Sequence, residues 1–131
     1  MSVGALTQAL LRVAFWVPLA VCTYLAFAPS PPEPVLHVSD VVLHGVAFTY
    51  LTFALRLAHR LQHWWQTALW MLAYGAFIEV MQSFEPSRTA ELKDFVVDGI
   101  GIAFGLLASM LMGARVRMVV ERVAESLVRA A

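Results

Sequence analysis

Eight polar side chains able to exchange protons or bind ions lie near the ends of apolar segments. They are Asp40, His44, Glu79, Gln82, Arg88, Glu91, Asp94 and Asp98. Asp40 and His44 are four residues apart, a spacing that places both on one face of a helix. The carboxylate could then fix the tautomer of the imidazole, which suits general acid or base chemistry.

The other acids also follow helical spacing. Glu79 and Gln82 are three residues apart, and Glu91, Asp94 and Asp98 form a further stripe. Toward the C-terminus, the positions three and four residues farther along the same helix face are small residues. Small residues let another helix backbone approach closely. These small residues are Gly101, Gly105 and Ser109. The acidic face of this helix is therefore predicted to be its packing face, with the carboxylates pointing into a bundle.

The elements that must position these residues are transmembrane helices. The 131 residues are 60% hydrophobic with a mean hydropathy of +0.73, more apolar than one soluble core requires. Because the formal net charge is zero, no basic field points to nucleic acid as a partner. The single cysteine, Cys22, has no partner for a disulfide within the chain.

Apolar runs predict an all-α polytopic membrane protein, a four-helix transmembrane bundle forming one domain over residues 1–131. Each run is long enough, with its flanks, to cross about 30 Å of hydrocarbon. The predicted spans cover about residues 9–28, 40–56, 64–84 and 92–113, and an amphipathic surface helix covers about 114–130. Ala26-Phe27-Ala28 resembles a signal-peptidase site, but Pro29 would follow the cut, so we expect the first span to be retained.

The basic residues predict the orientation of the chain. Seven of the nine fall on the side of the termini and the loop between the second and third spans: Arg12, Arg56, Arg60, Arg115, Arg117, Arg122 and Arg129. Only Arg88 and Lys93 fall on the opposite side. The positive-inside rule then places both termini in the cytoplasm and the acidic stripes near the outer face of the cytoplasmic membrane.

Two interpretations of the buried acids remain open. Each charge inside hydrocarbon costs about 2.5 to 3.5 kcal/mol unless it is paired or hydrated. The polar residues either hydrogen-bond across helices and hold the bundle together, or form a pocket whose acidic excess attracts the positive part of a ligand. The acids follow no recognised metal-ligand spacing, so the sequence predicts no cofactor, although carboxylates with His44 could accept a divalent cation.

Together these motifs resemble the VanZ-like family, small multi-pass bacterial membrane proteins whose namesake is linked to teicoplanin resistance. The matching motifs are Asp40-x-x-x-His44 with Phe48, Glu79-x-x-Gln82, Arg88, and Asp94-x-x-x-Asp98-x-x-Gly101-x-x-x-Gly105. The chain departs from the family pattern at Val41, where Lys is usual, and at Asp98, where Asn is usual. Its site is therefore more acidic than the pattern implies.

Two functional hypotheses follow, in which the partners are membrane lipids and no nucleic acid. In the first, the pocket binds an envelope lipid headgroup, a cell-wall precursor or a glycopeptide, and Arg88 holds a phosphate. Its other predicted ligand-binding residues are Gln82, Glu91, Asp94 and Asp98. In the second, the chain is an intramembrane enzyme acting on a lipid-linked substrate, with His44 as base or acid, Asp40 orienting it and Glu79 as a second acid.

A transporter is less favoured, because the ionisable residues stop at the outer end of the spans. The glycine stripe could also serve a homo-oligomer.

Overall fold

The computed structural model describes residues 1–28, 39–61, 63–84 and 92–130, with the backbone alone at Asp40 and Leu92. Within these ranges the chain is helical and contains no strand. The helices, in chain order, are α1 (Val3–Phe27), α2 (Asp40–His59), α3 (Trp64–Gln82) and α4 (Leu92–Ala130). The predicted all-α class is confirmed.

Helix α1 begins about six residues before the predicted first span. Ser2 caps it, its Oγ accepting a hydrogen bond of 3.3 Å from the backbone N–H of Ala5. Such a cap satisfies one of the free amides of a helix start. Pro18 lies inside the helix.

Four residues of the sequence separate α2 from α3. Arg60 adopts the left-handed conformation, with φ of 48°, and its N–H bonds to the carbonyl of Arg56 at 3.1 Å. A residue in this conformation cannot continue a right-handed helix, so α2 ends at His59. The backbone N–H of His63 then donates to Gln66 Oε1 at 3.2 Å at the start of α3.

The predicted break between a fourth span and a surface helix is wrong. Helix α4 continues without interruption through 39 residues. Gly113, at the predicted boundary, costs an interior helix only about 1 kcal/mol and no proline follows it, so nothing ends the helix there. The segment beyond it still packs within the bundle, since Ala124 is 0% exposed.

Three of the four helices are long and apolar enough to cross a membrane. They are α1 (Val3–Phe27) and the segments Val41–His59 of α2 and Lys93–Ala130 of α4. Helix α3 falls below this level because it carries Gln66, Glu79 and Gln82. Large apolar side chains point outward on the helices, Trp70 being 66% and Leu111 68% exposed. Lipid is the solvent that suits such a surface.

Helices that follow one another in the chain run in opposite directions. Helices α2 and α4 run parallel: His44 meets Asp98 near their first turns, and the carbonyl of Leu57 accepts a bond from Arg117 farther along. Helix α1 runs antiparallel to α2, since the Tyr50 hydroxyl donates to the carbonyl of Ala14 at 2.7 Å. We call the end of the bundle where α2 and α4 begin the polar end.

The α2–α4 contact is the closest in the bundle, because glycines of α4 lie against the backbone of α2. A Cβ placed on Gly101 would be 2.8 Å from the carbonyl oxygen of Gly45, and one on Gly105 would be 2.5 Å from that of Thr49. The apolar core lies beside this contact. Its buried members are Phe15, Phe48, Leu51, Ala54, Leu55, Ala58, Met71 and Ile102.

Candidate functional site

A hydrogen-bonded His–Asp pair joins α2 to α4 at the polar end. His44 Nδ1 lies 2.8 Å from Asp98 Oδ1. An ionised carboxylate only accepts hydrogen bonds, so His44 Nδ1 donates this bond when Asp98 is ionised. Asp98 is 1% exposed, whereas the His44 side chain retains 19% exposure. The pair is therefore held inside the bundle with its imidazole at the edge.

The sequence predicted Asp40 as the carboxylate that orients His44. In the structure His44 Nδ1 is hydrogen-bonded to Asp98, which comes from a different helix. The side chain of Asp40 lies outside the described residues. Local spacing identified an acid on the same helix, whereas the observed partner depends on how α2 and α4 pack.

Glu79 on α3 completes a cluster of three groups from three helices. One ring nitrogen of His44 and one carboxylate oxygen each from Glu79 and Asp98 all lie within 4.8 Å of one another. Two carboxylates and an imidazole at this range can hold a cation or exchange protons. We call these residues the polar cluster.

The second oxygen of Asp98 lies toward α3. Among the described residues it has no hydrogen-bond partner, although it is buried. A Cβ on Gly75 would be 2.8 Å from this oxygen and 3.3 Å from the ring of Phe48. Gly75 and Glu79 are one helical turn apart on α3, so the missing side chain at 75 leaves space beside the polar cluster.

Aromatic rings form one wall of the cluster. The imidazole of His44 stacks on Phe48, with ring centroids 6.3 Å apart and an interplanar angle of 6°. Phe48 in turn contacts Tyr74, with centroids 5.8 Å apart. The Tyr74 hydroxyl shares a hydrogen bond of 2.8 Å with Thr23 Oγ1 on α1. Nothing in the spacing of Thr23 and Tyr74 along the sequence marks them as neighbours.

Gln82 binds α3 to α1 in this structure. Its Nε2 donates to the carbonyl of Ala26 at 3.0 Å, and the side chain is buried. This bond matches the interpretation in which polar residues hold the helices together. The carboxamide oxygen remains the part of Gln82 that its predicted ligand-binding role would use.

The structure describes only some of the remaining predicted site residues. Asp94 is buried one turn before Asp98, and Lys93 beside it is exposed. Arg88 and Glu91 lie outside the described residues. Their roles in ligand binding stay predictions.

A second polar group lies at the opposite end of the bundle. Arg117 Nη2 donates to Gln8 Oε1 at 3.4 Å and to the carbonyl of Leu57 at 3.3 Å. Gln8 Nε2 donates in turn to the carbonyl of Ala58. These bonds connect α1, α2 and α4, so Arg117 has a structural role besides the contribution of its charge to orientation.

His59 lies beyond the predicted end of the second span, yet it belongs to α2 and is half-buried. Its ring packs edge-on against Phe15 and Trp16, with centroids 5.6 Å and 5.8 Å away. The arginines around it suggested a solvated loop, but α2 extends through His59 and carries the ring against α1.

The fold and the polar cluster define a small helical membrane protein that gathers acids and a histidine at one end of its bundle. The chain belongs to the VanZ/LLP1 family, whose model matches residues 3–113. The resemblance found in the sequence motifs is thereby confirmed.

A relative lies outside the bacteria. An uncharacterized protein of Schizosaccharomyces pombe is 34% identical over 105 residues, covering 77% of this chain and 63% of that protein. The chain thus spans less than two thirds of that relative's length. No solved structure matches the chain significantly.

Proposed function

We propose that the chain is a multi-pass protein of the cytoplasmic membrane that binds the headgroup of an envelope lipid at its polar end. The observation that carries the proposal is the convergence of His44, Glu79 and Asp98 from three helices within 4.8 Å. Ionisable groups inside a membrane bundle are costly, and they concentrate where a ligand or ion is handled.

The helix directions support a four-span topology. Helices α2 and α4 are parallel, so the chain must return across the bundle between His59 and Leu92. Helix α3 is the described element between them, and its 19 residues extend about 28 Å. Its polar residues are tolerable because Glu79 and Gln82 lie near the polar end and face other helices. With four spans, the arginine distribution favours cytoplasmic termini and an outward-facing polar end.

A lipid headgroup suits the charges at this end. Glu79 and Asp98 can receive a cationic portion, and Arg88 can hold a phosphate through two parallel N–H bonds. A lipid is also favoured over a cell-wall precursor or a glycopeptide, because membrane lipids occur in every cell and a relative exists in a yeast.

The test measures lipid retention by the purified protein. We expect the wild type to keep an anionic or zwitterionic phospholipid through detergent exchange in native mass spectrometry, and Arg88→Ala and Asp98→Asn to lose most of it. Arg122→Ala, an exposed arginine of α4, is the matched control and should retain the lipid. Equal retention by all four proteins would refute the proposal. Binding of teicoplanin or a lipid-linked wall precursor in preference to phospholipid would replace the ligand.

The His44–Asp98 hydrogen bond favours one alternative, an intramembrane enzyme acting on a lipid-linked substrate. A carboxylate fixes the tautomer of the imidazole, and Glu79 is close enough to act as a second proton carrier. Turnover of labelled envelope lipids that is abolished in a His44→Gln/Glu79→Gln double variant would support this activity. Turnover that persists in the double variant would exclude the assignment.

A further inference from the structure

We infer that His44, Glu79 and Asp98 form a binding site for a divalent transition-metal ion such as Zn²⁺. Three helices each contribute one ligand: α2 the imidazole, and α3 and α4 a carboxylate. The inference does not depend on lipid binding, because the three groups form the site by themselves.

The distances match a metal site after small side-chain rotations. Zinc binds His nitrogen at about 2.0 to 2.1 Å and carboxylate oxygen at about 2.0 to 2.2 Å. Two ligand atoms on one ion are therefore at most about 4.3 Å apart. The three ligand atoms lie within 4.8 Å of one another, so an ion could draw them together without moving a helix.

A second observation is the unsatisfied oxygen of Asp98. The residue is 1% exposed, yet Oδ2 has no hydrogen-bond partner among the described residues. A buried carboxylate oxygen without a partner is strongly unfavourable. It points toward the face of α3 that carries Gly75 and, one turn on, Glu79. A cation between these groups would supply the missing partner.

Charge balance also favours a dication. Two ionised carboxylates carry a charge of about −2, and a histidine that ligates a metal is neutral. A single divalent ion balances them.

The ligand types select the class of metal. Oxygen-only sites suit Mg²⁺ and Ca²⁺, whereas an imidazole favours zinc and its neighbours in the first transition series. Three protein ligands leave a fourth position open in a tetrahedral site. Because the His44 side chain is 19% exposed, that position can face the mouth of the bundle.

The inference can be tested by metal binding to the full chain in lipid-free detergent. The affinity tag is removed, the protein is stripped with EDTA and desalted, and Co²⁺ is titrated as a coloured substitute for Zn²⁺. We expect about one ion per chain, ligand-field bands of low coordination number, and displacement by Zn²⁺ but not by Mg²⁺. His44→Gln, Glu79→Gln and Asp98→Asn should each weaken binding about tenfold or more.

The matched controls replace a histidine and a glutamate away from the cluster. His63→Gln and Glu121→Gln should bind Co²⁺ as the wild type does, because both positions lie outside the polar cluster. Lack of stoichiometric binding by the wild type would overturn the inference, as would equal binding by the Asp98→Asn variant.

A second measurement covers the case in which a cluster variant fails to fold. In a chain whose other three histidines are replaced by glutamine, Zn²⁺ should shift one ring-nitrogen resonance of His44 by NMR. An unchanged spectrum would overturn the inference. Lipid retention is measured in EDTA, so a failed metal test leaves the headgroup proposal standing, and a failed lipid test leaves the metal site standing.

Discussion

Gly75 on α3 and Asp98 on α4 lie so close that a Cβ at position 75 would be 2.8 Å from Asp98 Oδ2. The glycine therefore has a steric role, since it creates the space into which a buried carboxylate projects. The same missing side chain lets the ring of Phe48 reach α3, where a Cβ would be 3.3 Å away. One small residue thus sets the spacing of three helices around the polar cluster.

Replacing Gly75 should disturb this arrangement. Gly75→Ala is expected to lower the free energy of unfolding by about 1 to 3 kcal/mol, the usual cost of overpacking a core. The measurement is unfolding by SDS in dodecyl maltoside micelles. Gly99→Ala is the matched control, because a Cβ there meets nothing within 4 Å. It should be neutral or stabilising by up to about 1 kcal/mol. Equal stability of the two variants would contradict the close approach.

The α2–α4 contact makes a second prediction. A Cβ on Gly105 would be 2.5 Å from the backbone carbonyl of Thr49, which cannot move without shifting the helix. Gly105→Ala should therefore cost about 1 to 3 kcal/mol in the same unfolding assay. Gly113→Ala on the same helix has open space around its Cβ and should not destabilise. A harmless Gly105→Ala would show that the helices are farther apart.

The His44–Asp98 bond can be measured by a double-mutant cycle. His44→Gln, Asp98→Asn and the double variant should give a coupling free energy of about 1.5 to 3 kcal/mol, the range for a hydrogen bond to a charged group. Unfolding is followed in EDTA, so bound metal does not contribute. Pairing Asp98→Asn with His63→Gln should give less than about 0.5 kcal/mol, since the two sites share no contact. Coupling that low for His44 would mean that the bond does not form.

Arg117 is expected to stabilise the end of the bundle opposite the polar cluster. Arg117→Gln removes its bonds to Gln8 and to the carbonyl of Leu57, which should lower the free energy of unfolding by about 1 to 3 kcal/mol. Arg122→Gln removes an equal charge from an exposed position of α4 and should change it by less than about 0.5 kcal/mol. If both variants lose the same stability, the effect is one of charge alone.

The proposed crossing of α3 makes a topological prediction. In a Cys22→Ser background, single cysteines are introduced as His63→Cys, Ser83→Cys and Arg129→Cys and labelled with a membrane-impermeant thiol reagent on intact cells. Ser83 should react from outside, whereas His63 and Arg129 should react only after the cells are permeabilised. Labelling of Ser83 and His63 from the same side would show that α3 does not span.

The sequence predicted the four helices and named all three residues of the polar cluster as site residues, because hydrophobic runs and i, i+4 spacing are local properties. The hydrogen bond between His44 and Asp98 was not predicted, because it joins two different helices. Asp40 is the acid that local spacing selects, but Asp98 reaches His44 through the parallel packing of α2 and α4. Contacts between helices depend on which faces meet, and a single sequence does not encode that in its spacing.

The end of the fourth helix was also predicted poorly from the sequence. Arginine residues and Gly113 suggested that the fourth span stops at the membrane surface, where a separate helix would begin. Arg117 instead bonds to α1 and α2, and Ala124 is buried, so tertiary contacts stabilise the continuation of α4. A glycine without a proline or a cap is too weak a signal to end a helix that is held by its neighbours.

The unbroken course of α4 links the two ends of the molecule mechanically. A helix of 39 residues is a rod about 58 Å long, nearly twice the hydrocarbon thickness of a bilayer. Asp98 and Arg129 lie about 46 Å apart along this rod with no joint between them. Because no break interrupts α4 between these residues, a tilt of the helix at one end would displace its other end sideways.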